Sequence, residues 1–263
     1  MSDVSDRKDL EAQFHDAREY DKKTLDEEAF LKKYSNKRFY AIAKKVREYE
    51  DTVLRARAPG GEVLDYCCGP GETSLKLAEM GYASVTGIDI SPIEVASAEK
   101  RLEGAGFGEK STFHVMDAEN LDFAADTFDV IVCNGVLHHL DIDAALPELA
   151  RVLKPDGVIV AMEALGYNPL INLYRKMTPH LRTAWETDHI LTLTELNKAK
   201  KYFRQVDVRY FYLATLAAIP FSGTPLFRPV MVIVEALDAL LMRLPLIKLM
   251  AWQMVFTLKN PKV

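Results

Sequence analysis

An α/β fold with a doubly wound, mostly parallel sheet of seven strands, flanked by helical additions at both ends, is what this sequence predicts. Two patterns carry that expectation. From Gly61 to about Glu163, short apolar runs alternate with amphipathic helices, the signature of parallel strands with helices on both faces. Two further strand patterns follow much later, at Val206–Leu213 and Trp252–Leu258, and bring the expected count to seven.

The elements follow in order. Residues 1–57 show helical periodicity and no strand signal; Phe30, Leu31, Tyr34, Phe39, Tyr40, Ile42 and Ala43 share one apolar face. The central strands are expected at Glu62–Tyr66, Ser84–Asp89, Ser111–Val115, Phe128–Cys133 and Gly157–Glu163. Helices are expected near Thr73–Met80, Pro92–Leu102 and Ala144–Leu153. Gly166 to His189 is polar and aromatic, with loop and short-helix character. Leu193–Tyr202 has helical spacing, and Pro225–Leu246 is a mostly apolar helical segment. The chain thus divides into a helical cap over 1–57, an α/β core over 58–165, and cap helices with the last two strands over 166–263.

Bulk composition narrows the function classes. With 49% hydrophobic and 27% charged residues, the chain is globular in type. A net charge of −5 and no basic stripe argue against nucleic acid as a partner. The N-terminal segment alternates Lys with Asp and Glu, as a solvated helix surface does. Of three cysteines, Cys67 and Cys68 are adjacent and Cys133 stands apart, which is neither a disulfide framework nor zinc-site spacing. No metal is expected, and a reducing cytoplasm suits the thiols. The polar start MSDVSDRKDLEAQF is no secretory signal. Pro229 to Ile247 is the most apolar stretch, but Glu235, Asp238 and Arg243 interrupt it. A membrane span needs about 20 mostly apolar residues, so a buried or interfacial helix is expected instead.

Three acids give the sharpest functional signal. Val63-Leu64-Asp65-Tyr66-Cys67-Cys68-Gly69-Pro70-Gly71 puts a carboxylate and two glycines between a strand and a helix. Ligands of open α/β sheets bind at such carboxyl ends, where glycine lets the backbone approach closely. By itself, Gly-Pro-Gly could be only a tight turn. Asp89 ends the second strand 18 residues after Gly71, where an acid can accept both ribose hydroxyls; a helix-capping role before Ser91-Pro92 is the alternative. Asp117 follows the third strand, placed to take the exocyclic amine of adenine. Three acids after three successive strands are far more specific than any one.

In this order and spacing, LDYCCGPGE, TGIDIS, MDAENL, FDVIVCNGVLHHL and RVLKPDG resemble the motifs of class I S-adenosylmethionine (SAM)-dependent methyltransferases, across roughly residues 60 to 165. The resemblance implies a Rossmann-like sheet whose last strand runs antiparallel, and SAM as cofactor. It implies that Asp65, Gly69 and Gly71, with Cys67 and Thr73, surround the methionine part. Asp89 and Ile90 would hold the ribose, Asp117 and Ala118 would meet adenine, and Asn134 and Gly135 would lie under the methionine end. Cys67 stands where the family usually has glycine, and Asp156 where it often has a second one. A nicotinamide dinucleotide fits less well, because Glu72 would sit where a pyrophosphate must lie at the helix N-terminus.

For the chemistry, His138 and His139 follow the fourth strand, and Glu163 ends the fifth, its expected neighbour. A carboxylate there can fix the imidazole tautomer and stabilise imidazolium. His138 with Glu163 resembles the dyad of natural-product sugar O-methyltransferases, which implies His138 as base; His139 is expected to pack on the cofactor. The expected activity is methyl transfer to a small acceptor, hydrophobic or glycosylated, at oxygen. A non-catalytic SAM-binding or lipid-surface scaffold is the competing class. Tyr34 and Tyr40 could close over the cofactor or pack in the core. Gly166 to Asn168, Thr178 to Thr183 and His189 could orient substrate or cap local helices. Phe211, Tyr212, Leu213, Phe221, Phe227 and the following helix hint at a hydrophobic acceptor, although such residues more often form ordinary core or a homodimer face; for the apolar segment 225–247, core, dimer face and peripheral lipid contact all stay open.

Overall fold

A computed structural model describes residues 2–262, and their side chains apart from residues 2–6, Leu31, residues 35–38 and Thr187. Leu31, expected on the N-terminal apolar face, thus falls outside the described side chains. The first five strands are β1 (Glu62–Tyr66), β2 (Ser84–Asp89), β3 (Ser111–Val115), β4 (Phe128–Asn134) and β5 (Leu153–Ala164). With β6 (Phe203–Phe211) and β7 (Gln253–Pro261) they form one sheet in the order β3-β2-β1-β4-β5-β7-β6. Neighbours among the first five pair in parallel, while β7 runs antiparallel to both β5 and β6. The expected seven-stranded sheet with a reversed last strand is therefore present.

Alternate side chains sort the core into two layers. Val63, Val130, Val132, Val158 and Val160 point to one face, with α3 (Lys44–Arg55), α4 (Glu72–Met80) and α5 (Pro92–Gly104) above them. Leu64, Ile131, Cys133, Ile159 and Ala161 point to the other, against α6 (Ile142–Val152) and α9 (Leu193–Tyr202). Apolar runs without alternation are what a strand covered on both faces requires. The crossover between β1 and β4 is the point where the strand order reverses, and loops from both sides meet there.

Local signals set the helix starts. Ser91 caps α5 through the N–H of Glu94, with Pro92 at the first helical position. Thr192 and Glu195 form a reciprocal capping box on α9. Gly71 enters α4 at φ +77°, and a Cβ there would lie 2.8 Å from Ala98 of α5, so only glycine permits this approach.

Several boundaries differ from the sequence expectation. β5 begins at Leu153, not Gly157: Leu153 pairs with Phe128, Val158 pairs with Val130, and the turn residues Pro155 and Asp156 are accommodated in the irregularity between. Within 166–189, expected as loop and short helix, Asn168 caps a nine-residue helix, α7 (Pro169–Met177), before the short α8 (Ala184–Asp188). The N-terminal part forms α1 (Ser2–Thr24), α2 (Glu27–Lys33), a 3-10 segment (Ser35–Ile42) and α3. Glu11 and Glu19 of α1 are buried, which corrects the solvated-surface expectation: that helix lies over the sheet's carboxyl edge. The late apolar segment condenses to α10 (Phe227–Leu241). No described helix is long and apolar enough to cross a membrane.

Candidate active site

Where β1, β2, β3 and β4 end, their loops surround one cavity of about 590 Å³. At the end of β1, the Asp65 carboxylate is buried and accepts from the Ser74 hydroxyl at 2.6 Å. Burial pushes Asp65 up to about 7, helped by the negative charges of Glu50 and Asp89. Next in the chain, Cys67 holds φ +59°, a conformation that ordinarily favours glycine. A cysteine thus occupies the backbone state that a glycine would take more easily, and it lines the cavity. Burial pushes its thiol well above the usual range.

Asp89, at the end of β2, organises the glycine turn. One oxygen accepts from Gly69 N–H and the other from Ser91 N–H, both at 2.9 Å. Ser91, not Asp89, caps α5. Each carboxylate oxygen keeps a second lone pair for a hydroxyl ligand. Burial, then the nearby charge of Glu94, raises the Asp89 carboxyl above its ordinary value. Ile90 lines the cavity beside it.

Beyond β3, Asp117 accepts from Glu119 N–H at 2.9 Å and pairs with Lys8 of α1 at 2.6 Å. The Ala118 carbonyl accepts from the Tyr66 hydroxyl at 2.5 Å. Lys8 and Arg7 also reach Glu119, at 2.8 and 2.5 Å. After β4, Asn134 approaches Thr73 at 3.5 Å, while its buried Oδ1 has no hydrogen-bond partner among the described residues. Gly135 turns the chain at φ +68°.

His138 and His139 sit on a 3-10 turn just beyond. His138 Nδ1 lies 2.7 Å from Glu163 Oε2, and the other Glu163 oxygen accepts from the N–H groups of Val136 and Leu137 at 2.8 and 2.7 Å. Burial alone would lower the His138 pKa; the charge and hydrogen bond of Glu163 outweigh it and leave it raised. His139 behaves oppositely. Burial, with the His138 charge beside it, pushes the His139 imidazole down to about 4. Its Nδ1 lies 3.1 Å from Glu11, and its ring 4.3 Å from that of His138.

Sequence reasoning missed the residues that α1 brings. Glu11, His15 and Arg18 line the cavity, and His15 and Arg18 approach the buried Glu94 at 3.7 and 3.4 Å. The alternating charges of residues 7–18 were the signal, but they read equally well as a solvent face. The fold also gathers Glu11, His15 and His139, and His138, His139 and Glu186, into two clusters whose nitrogen and oxygen atoms lie within 4.8 Å of one another. No sequence spacing announces either. Tyr40 lines the cavity, whereas Tyr34 is buried elsewhere against Asp21 at 2.7 Å. Exposed His189 stacks on Trp185 at 3.6 Å. Thr183 bonds Glu11, and Arg182 lines the cavity.

Comparison with known proteins bears on the family and the fold. Residues 63–157 match the model of a methyltransferase domain. The chain carries a class I SAM-dependent methyltransferase domain. It is 33% identical over 109 residues to the ubiquinone/menaquinone biosynthesis C-methyltransferase UbiE of Geotalea daltonii, covering 40% of this chain and 46% of that protein. The chain spans about half the length of the curated relatives it matches. Among solved structures, a geranyl diphosphate methyltransferase in complex with GPP and sinefungin aligns at a TM-score of 0.57 and 14% identity, covering 82% of this chain and 78% of that one. The [4+2]-cyclase SpnF aligns at 0.54 and 20%, covering 81% of each. At such identities, the two structures establish the shared fold alone.

SAM is the cofactor of this domain family, and the residues present suit it. Asn134 Oδ1, unmatched among the described residues, is an acceptor suited to an ammonium, and Asp89 keeps lone pairs for two hydroxyls. The glycine turn at Gly69 and Gly71 has the left-handed backbone that close approach needs, at φ +51° and +77°.

Proposed function

We propose that the protein transfers a methyl group from SAM to the oxygen of a small acceptor, with His138 as general base and Glu163 as its positioning partner. The observation that carries this reading is the 2.7 Å contact between His138, on the cavity wall, and Glu163 buried behind it. Glu163 is anchored by two backbone N–H groups, so the imidazole is held through Nδ1. Nε2 is then the nitrogen that takes the acceptor's proton, and it stands 3.8 Å from Glu186. Bound SAM supplies an electrophilic methyl group on a sulfonium. The chain's own task is alignment, which can contribute about 7–11 kcal/mol, and removal of that proton.

In this reading Asp65, Cys67, Gly69, Gly71, Thr73, Asn134 and Gly135 surround the methionine end. Asp89 and Ile90 hold the ribose. Asp117 and Ala118 meet adenine, with Lys8 as the competitor for Asp117, and His139 packs on the cofactor. Residues 1–57 act as a cap, 58–165 as the SAM-binding core, and 166–263 as the acceptor side. Carbon is the second reading for the methylated atom, favoured by the name of the UbiE relative. The same base would serve there, since removing a proton from an enol or phenol activates the adjacent carbon. The scaffold alternative makes the opposite forecast. Incubation with methyl-labelled SAM and a small-molecule extract should give a labelled product; binding of SAM without any transfer would favour the scaffold.

Peripheral contact with an anionic lipid surface belongs to the same reading. Val232, Ile233, Leu237 and Leu240 of α10 are exposed, as are Leu244 and Leu246 just after it. Its acids turn inward instead: Asp238 accepts from the N–H groups of Leu213, Ala214 and Thr215, and Glu235 pairs with Lys45 at 2.9 Å. Arg228 and Arg243 stay exposed. An apolar face with only cations free complements an anionic bilayer surface. The protein should co-sediment with phosphatidylglycerol vesicles, more weakly with phosphatidylcholine, and the double change Ile233→Glu, Leu237→Glu should abolish this. A dimer that the same double change separates would assign the face to a second copy.

A further inference from the structure

The acceptor end of the cavity holds a buried arginine that makes no ion pair among the described residues. Arg175 lies on α7, whose inner face also presents Ile171 and Tyr174 to the cavity, while Leu170, Leu173 and Met177 face solvent. It is only 7% exposed. Its Nη1 donates to the neutral amide oxygen of Asn172 at 2.7 Å, and no carboxylate lies within ion-pair distance among the described residues. Glu186, the nearest candidate, is engaged by Arg182 at 3.4 Å and faces His138 Nε2 at 3.8 Å. Burial, together with the positive charge of Arg182, pushes the Arg175 guanidinium down to about 10, and the more distant charge of Glu186 offsets this only in part. A buried cation without an ion pair is a cost to the fold, and its place in a ligand cavity suits an anionic partner from outside.

Resting on the methyl-transfer reading, we propose that Arg175 binds an anionic group of the acceptor, a carboxylate or a phosphate. The guanidinium presents a fork that matches either group in two-point contact. Such an anchor would set the distance between the anion and the hydroxyl offered to His138. The acceptor is then an amphiphile: an apolar body against Ile171 and Tyr174, with one acidic substituent.

The test loads the full-length protein with S-adenosylhomocysteine and titrates decyl phosphate, decanoate and decanol below their aggregation limits. One or both anions should bind at least tenfold more tightly than decanol, and the stronger of the two identifies the natural group. Arg175→Met should weaken anion binding roughly 10- to 100-fold and leave decanol and S-adenosylhomocysteine affinity unchanged. Its melting temperature should be equal or higher, because a buried charge is gone. Arg175→Lys should keep part of the anion preference. Equal binding of anions and alcohol, no binding of any probe, or full anion affinity in Arg175→Met overturns the proposal. A fall in melting temperature with loss of S-adenosylhomocysteine binding would make Arg175 a structural residue and also overturns it. Anion binding by a protein that never binds S-adenosylhomocysteine would sink the methyl-transfer reading and leave the anion site standing.

Discussion

Replacing His138 with alanine is expected to lower methyl transfer roughly 10²–10⁴-fold, the usual worth of a positioned base, with SAM affinity almost intact. Without the imidazole, no group held by Glu163 can take the acceptor proton. The neutral imidazole is the active form, and Glu163 leaves the His138 pKa raised above 6.5. Turnover should therefore be low in acid and rise with pH through a midpoint above the ordinary histidine value. Glu163→Gln keeps an amide oxygen for the N–H groups of Val136 and Leu137 but removes the negative charge beside Nδ1. It should cost less activity than His138→Ala and move the midpoint downward. Rate–pH profiles of the three proteins, with affinities by calorimetry, check both statements. Full turnover in both variants would mean that positioning alone suffices, as for an acceptor already ionised.

Loss of the Asp89 carboxylate should be the largest effect on cofactor affinity. Asp89→Ala is expected to weaken SAM binding by about 1.5–3 kcal/mol, the range for a hydrogen bond to a charged group. The variant also removes the acceptor for Gly69 N–H, so the glycine turn loses its tether. Calorimetric titration with SAM or S-adenosylhomocysteine measures the change. An unchanged dissociation constant would reduce Asp89 to a brace between that turn and Ser91.

The sequence was most informative where side chains meet a sheet covered on both faces. β1, β2 and β3 occupy the ranges their apolar runs mark, because each run is bounded by a turn and has nowhere else to bury. The pairing of His138 with Glu163 was legible for the same reason. Strand ends that are adjacent in a parallel sheet bring their next residues together, and β4 and β5 are hydrogen-bonded neighbours. β6 is shifted by a few residues, since it is half-exposed at the edge and its pattern is weaker.

What the residues determined by themselves is therefore the central sheet, its glycine turn, and the three acids and one histidine at its carboxyl edge. These depend on local burial, turn chemistry and strand order, all of which leave a mark within a few positions. Only the tertiary structure decided which face of α1 meets the cavity, and that Lys8, His15 and Arg18 answer Asp117 and Glu94, 76 to 109 residues away in the chain. It alone decided that Arg175 is buried without an ion pair among the described residues and that the acids of α10 turn inward, leaving its apolar side exposed. A charged helix carries the same alternating pattern whether its partners are water or distant acids. The difference lies in desolvation and ion pairing across the fold, which no local spacing records.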